Sequence, residues 1–389
     1  MLVLLACMIL TIALGSLHAF SVFLETLEEH FEASRSDVSL IYSFALAALT
    51  ISVLFGHLFY DRLRPVFLVS LILILAAAGS ALAAQATNLP MVWLGYSLLF
   101  GGANGLGYGF ALQCAAQSNP DMKGVAMGCV TATYALGAAL APIPFELLLR
   151  LGGFASAMNG LAIVLLAILP LAAFLLHKGK ARLKATKPRK NGKSIRPIWL
   201  VVKLWLGYGA AVAAGLMIMG HATGIAKASG LNAQLVVSAP IVIAVFNMFG
   251  SLVGGWFADK ATVRQTVMAF SALSVIALIV IALFGGGAVT ICGLALIGFA
   301  YGGTIVAYPA AVASMFGVVA GVRVYGRVFT AWGIAGLFAP WFAGILFERS
   351  GDYQIALAAA AIVGAASLIT TRFLPFDGGV VPDRESKDC

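Results

Sequence analysis

Apolar runs of about twenty residues recur along the whole chain. They begin near Val3, Ser39, Val66, Met91, Gly124, Gly153, Ile198, Leu235, Gln265, Ala288, Val324 and Tyr353, and each closes where charge, proline or glycine gathers. A bilayer core takes about 20 such residues per helix, so the pattern predicts twelve membrane-spanning helices. Only helices or closed barrels satisfy every backbone polar group in lipid, and the runs lack the alternation of barrel strands. The expected class is therefore an all-α membrane protein. The first run carries neither a basic leader nor a small-residue cleavage site and reads as a retained helix. An even number of spans puts both termini on one side.

Composition agrees: 61% of the 389 residues are hydrophobic and 10% charged, against roughly 45–50% and about 25% in soluble domains. The net charge of +9 does not point to nucleic acid, because the basic residues flank the spans. One alternate set of loops, with the tail, carries Arg62, Arg64, Lys123, the basic residues from Lys178 to Arg196, Lys260, Arg264, Arg323, Arg327, Arg372, Arg384 and Lys387. The other set carries Arg35, Arg150, Lys227 and Arg349. The positive-inside rule then makes both termini cytoplasmic in a cell inner membrane and puts Glu25, Glu28, Glu29, Glu32 and Asp37 outside. Lys203, early in the seventh span, is expected to snorkel to the interface. Cys7, Cys114, Cys129 and Cys292 lie inside apolar runs with no CxxC pair, which supports neither a disulfide framework nor a metal site.

The polar segment 178–197 divides the spans six and six. The expected organisation is an N-terminal bundle over 1–177, a basic cytoplasmic linker over 178–197, a C-terminal bundle over 198–374 and a cytoplasmic tail over 375–389. The halves repeat at one offset. Gly56, Phe59, Asp61 and Arg62 match Gly254, Phe257, Asp259 and Lys260, and the same offset pairs Gly105 with Gly303, Gly128 with Gly326, Pro142 with Pro340 and Gly153 with Gly351. Rare residues at equivalent loops carry this argument; parallel six-helix repeats place a substrate site at midplane between them.

The stretch GHLFYDRLRP after the second span resembles the signature loop of the major facilitator superfamily. Four segments, FEASRSDVSLIYS, AAGLMIMGHATGIAKASG, FNMFGSLVGGWFAD and YGRVFTAWGIAGLFAP, are similar to the oxalate/formate antiporter and monocarboxylate transporter group. The resemblance implies a monomeric carrier of two six-helix bundles. On helix-dipole grounds Asp61 should face the start of the eleventh helix and Asp259 that of the fifth, with Arg62, Arg64 and Lys260 completing a gate. Two departures bear on cargo. Where that group carries an anion-binding arginine in the eighth span this chain has Ser251, and Trp332 stands where some members carry a lysine in the eleventh. A cavity without a fixed counterion disfavours a dianion such as oxalate.

In this architecture helices 1, 4, 7 and 10 line the cavity. The candidate substrate-binding residues are His18 in the first; Asn104, Tyr108 and Gln113 in the fourth; Tyr208 and His221 in the seventh; and Tyr301, Thr304 and Tyr308 in the tenth. Asn247 and Trp332 are added from the eighth and eleventh. Thr304 and Tyr308, four apart, share a helical face. His18 and His221 are the expected proton-responsive groups. GGANGLG contains a dinucleotide-like glycine pattern but neither follows a strand nor opens a soluble helix, and its glycines read as close packing. No catalytic constellation, cofactor site or metal site is expected. The leading function is a carrier of small organic anions, a monocarboxylate first, by proton coupling or exchange. A proton-driven exporter of apolar or cationic compounds and a non-transporting receptor or scaffold on the same fold stand as alternatives.

Overall fold

A computed structural model describes residues 1–183 and 198–374. The tail and residues 184–197 of the expected linker lie outside the described residues.

The apolar runs become helices α1 (Leu2–Phe31), α2 (Arg35–Phe55), α3 (Pro65–Ala84), α4 (89–118), α5 (123–151), α6 (154–178), α7 (Ile198–Met219), α8 (Ala233–Lys260), α9 (Val263–Phe284), α10 (Gly287–Phe316), α11 (Val318–Ser350) and α12 (Gln354–Arg372). Their ends follow local chemistry. The Ser34 hydroxyl accepts from Asp37 N–H at 3.1 Å, the Asn232 amide oxygen accepts from Leu235 N–H at 2.9 Å, and Thr262 forms a reciprocal cap with Gln265. The stretch 120–178 is helical almost throughout and turns back only at Gly152 and Gly153, the latter at φ +66, a backbone region favouring glycine. That hinge divides one long apolar segment into two spans.

The twelve spans form two six-helix bundles related by the sequence repeat. Small residues let backbones meet where lipid gives no hydrophobic drive between helices. A Cβ on Gly101 would lie 2.8 Å from the Ala45 carbonyl, and Gly105 sits as closely on that of Leu49, joining α4 to α2. In the second half Ile243 and Asn247, at the repeat offset from Ala45 and Leu49, receive Gly298 and Gly302, each one residue short of that offset from Gly101 and Gly105, joining α10 to α8. The expected packing role of the Gly-rich fourth span is thus what the backbone shows. The bundles meet along α5 with α8 and α2 with α11, two equivalent seams under the repeat. Gly124 and Gly255 face each other on the first seam, and Gly326 packs on Val53 and Leu54 on the second.

Two membrane spans depart from regular α-helix. In α1 the stretch Gly15–Phe23 winds as a tighter 3-10 helix, and in α4 Trp93–Phe100 winds wider. After α7 the chain breaks at Gly220 and His221 before the short helix Ala222–Ala228. Such local departures recur at functional sites because they re-aim side chains off the regular helical face.

Candidate functional site

Where α1 tightens, His18 turns toward the junction of the bundles. Its Nδ1 is 2.6 Å from the Tyr42 hydroxyl of α2. Its ring meets those of Tyr42, Tyr134 of α5 and Trp332 of α11 edge to face, with centroids 6.0, 5.4 and 6.4 Å away. The Trp332 contact crosses from one bundle to the other. Each supporting side chain is held in turn. Trp332 Nε1 donates to the Tyr301 hydroxyl at 2.8 Å and stacks on Phe329 at 5.0 Å. The Tyr134 hydroxyl donates to Asn104 Oδ1 at 2.8 Å, while Asn104 Nδ2 donates to the Leu14 carbonyl just before the tightened stretch. Asn104 therefore fixes the position of α1 as well as that of Tyr134. His18, Tyr42 and Tyr134 retain partial exposure.

Below this layer, toward the end that carries the termini, lies a second one. Tyr208 and Tyr308 pack ring to ring at 4.6 Å, and Tyr325 lies beside Tyr108 and Tyr208. The buried hydroxyls face one another and neighbouring hydroxyls, Tyr325 beside those of Tyr208 and Tyr108 and Tyr308 beside those of Thr371 and Ser367, at geometries short of well-aligned hydrogen bonds. Loosely paired hydroxyls of this kind in a membrane interior can turn to an entering polar group. Among the described residues, the fully buried polar side chains are all neutral.

A third layer closes the termini end. Asp259 accepts the main-chain N–H groups of Gly124 and Val125, at 2.7 and 2.8 Å, at the start of α5. Asp61 pairs with Arg323 in the first turns of α11 at 3.2 Å, and Gln113 Nε2 donates to the Val318 carbonyl at 2.9 Å. All three contacts join one bundle to the other. Arg62, Arg64 and Lys260 are exposed around them. A cavity of about 30 Å³ at this level is lined by Tyr60, Gln113, Met127 and Tyr325 among others.

The structure thus brings His18, Asn104, Tyr301 and Trp332 into one cluster and Tyr108, Tyr208 and Tyr308 into the layer beneath. It does not bring His221 to His18. The His221 ring lies at the break after α7, with Nε2 2.9 Å from the Pro340 carbonyl and Tyr353 alongside. Thr304 bonds back to the Ala300 carbonyl of its own helix at 2.8 Å. Asn247 is taken up in the α8–α10 contact. Lys203 reaches the Phe373 carbonyl at 3.5 Å and covers the Trp199 ring at 4.4 Å, an interfacial anchor at the termini end. Tyr42, Tyr134 and Tyr325 belong to the clusters but stand on helices outside the expected lining set. The polar run TATY in α5 was the available signal for Tyr134.

Ser251 is fully buried, its Oγ donating to the Gly302 carbonyl at 3.3 Å, and a Cβ at Gly128 would lie 2.7 Å from its own carbonyl. No room for a guanidinium exists there. Ser251→Arg should lower thermal stability in detergent by at least the roughly 1–3 kcal/mol of an overpacked core, with the unpaired charge adding to it. A variant as stable as the parent would show that α8 can rotate to admit the side chain.

The twelve helices in two repeated bundles define a polytopic α-helical membrane protein of the transporter class of folds. Residues 3–323 match the Major Facilitator Superfamily, and the chain belongs to that family. It is 27% identical over 346 residues to an uncharacterized MFS-type transporter, YhjX, of Escherichia coli (strain K12), covering 86% of this chain and 85% of the relative. It is 23% identical over 353 residues to the oxalate:formate antiporter of Oxalobacter formigenes, covering 86% and 81%. Among solved structures, the proton:xylose symporter XylE superposes with a TM-score of 0.74 at 16% identity, over 97% of this chain and 96% of that one. FucP in the outward conformation gives 0.73 at 16%, over 95% and 98%.

Proposed function

We propose that the protein is a secondary carrier of the inner membrane that moves a small monocarboxylate by alternating access, with proton coupling or exchange and with both termini cytoplasmic. The observation that carries this reading is His18 set among Tyr42, Tyr134 and Trp332 at the junction of the bundles, in an interior whose buried polar groups are neutral. Aromatic walls take the apolar end of a short acid, and hydroxyl, indole and imidazole groups supply directed bonds for its carboxylate. One negative charge matches one titratable imidazole; a dianion would leave charge uncompensated in a low-dielectric site. An exporter of cations would need a carboxylate facing its cargo, and the buried set contains none. The relationship to an oxalate:formate antiporter supports small carboxylates as the chemical class.

In this reading residues 1–177 and 198–374 rock as two bodies. The Asp61–Arg323 pair and the Asp259 cap, with Arg62, Arg64 and Lys260 around them, form the cytoplasmic gate. When they part, cargo leaves the His18 layer past the clustered hydroxyls of Tyr208, Tyr308 and Tyr325, which give its carboxylate successive partners. Proteoliposomes offered labelled formate, acetate, lactate and oxalate, with and without a pH gradient, test this. Uptake of monocarboxylates with little of oxalate is expected; oxalate as the preferred cargo would overturn the assignment of charge.

A further inference from the structure

On the flank of the N-terminal bundle, away from the seam between halves, the start of α3 and the end of α6 enclose an open groove of about 800 Å³ at the termini end. Arg64, His177, Lys180 and Arg182 line it, and none of its lining residues is acidic. Its lower wall is apolar, formed by Val66, Phe67 and Leu176. Phe67 is 59% exposed and Phe174, one turn below His177, is 56% exposed. These rings point outward from membrane-spanning segments, so the groove lies where the hydrocarbon ends and the headgroup layer begins. Lys178 covers the Phe174 ring at 5.6 Å, which leaves its neighbours Lys180 and Arg182 to face the groove.

We propose that this groove is a binding site for one anionic glycerophospholipid of the leaflet on the termini side. The phosphate pairs with Arg64, Lys180 and Arg182, and the glycerol and upper acyl chain lie along Val66, Phe67 and Leu176. Three considerations select this occupant. The charged side chains that line the groove, Arg64, Lys180 and Arg182, are all positive, with Ser70 the neutral polar one, so a zwitterionic headgroup would bring its own cation against them. Guanidinium groups bind phosphate oxygens in pairs, and two of the basic residues are arginines. The apolar wall continues into lipid-facing helix surface, which a free phosphate cannot use. Basic pockets between helices on this side of a membrane take anionic headgroups by the same physics. Because Arg64 opens α3 immediately after the Asp61 loop, an occupied groove would also tie one edge of the gate to the headgroup layer.

The test uses the full-length protein in nanodiscs of phosphatidylcholine alone or of phosphatidylcholine with phosphatidylglycerol, with native mass spectrometry counting retained lipid. Lys180→Gln with Arg182→Gln is compared with Lys203→Gln with Arg372→Gln, which removes equal charge from the same end of the molecule. Phosphatidylglycerol is expected to be retained in preference to phosphatidylcholine. The groove pair of substitutions should weaken it roughly 30-fold, at about one kcal/mol for each basic residue near an anionic surface, and the control pair far less. Inorganic phosphate should not displace it. Equal losses in both pairs would reduce these residues to orientation signals and overturn the site, as would retention without headgroup preference. Displacement by inorganic phosphate would overturn the lipid assignment.

Discussion

His18→Gln is expected to remove the response of uptake to a pH gradient while leaving exchange of internal for external substrate intact. Glutamine keeps a hydrogen-bonding group near the Tyr42 hydroxyl but cannot titrate. The groups packed around His18 are Tyr42 from α2, Tyr134 from α5 and Trp332 from α11, so no carboxylate or ammonium at the ring shares the load. Imidazole is the group of this cluster that can gain a positive charge by taking up a proton. Protonation from the more acidic side would supply the positive charge that Ser251 and Trp332 do not, and loss of the proton on the other side would release the anion. One coupled proton is worth about tenfold in accumulation per unit of pH gradient, so the variant should lose that factor. His221→Gln serves as the comparison. With its ring on the Pro340 carbonyl at the end of α7, it should keep the parent pH dependence. The same pH profile in His18→Gln as in the parent would place coupling elsewhere.

The second large effect is expected at the termini end, where the two gate aspartates are not equivalent. Asp259 takes two main-chain N–H groups at the positive end of α5, an arrangement that combines charge-assisted hydrogen bonds with the helix dipole. Asp61 instead meets the Arg323 side chain, with exposures of 22% and 46% in the pair. Asp259→Asn should therefore shift the closed-to-open ratio at this end by about 2 kcal/mol, roughly 30-fold, after discounting for partial exposure. Asp61→Asn should shift it by about 1 kcal/mol or less, as solvent-exposed ion pairs do. Spin-label distances between the termini ends of α5 and α8 report the populations. Equal shifts in the two variants would contradict the unequal roles that the geometry assigns.

Much of the architecture was legible because lipid imposes simple rules. Apolar length gave the spans, and a single repeat offset, anchored on Asp61 with Asp259 and Pro142 with Pro340, gave two related bundles. The aspartates were legible because their loops leave few helix starts within reach. The site was legible only in part. His18, Asn104 and Trp332 stand out as polar or aromatic groups in apolar runs, yet which way each side chain faces depends on helix rotation, which hydropathy does not encode. The tightened stretch Gly15–Phe23 alters the facing of His18 relative to a regular helix. Tyr42 and Tyr134 enter because α2 and α5 lie behind α1, a packing relation and not a pattern. His221 is drawn away by the break after Met219, and Ser251 was readable as a missing charge but not as a place without room for one.

Rocking of the two bundles around a monocarboxylate at His18 is tested most directly by locking the gate. Asp61→Cys with Arg323→Cys, joined by a bifunctional methanethiosulfonate that replaces the length of the arginine side chain, ties the bundles where the ion pair now spans them at 3.2 Å. In proteoliposomes, the cross-linked protein should still bind labelled monocarboxylate from the far side and protect Trp332 fluorescence from quenching, yet transport none of it. Reduction should restore uptake. Undiminished uptake by the cross-linked protein would contradict the account.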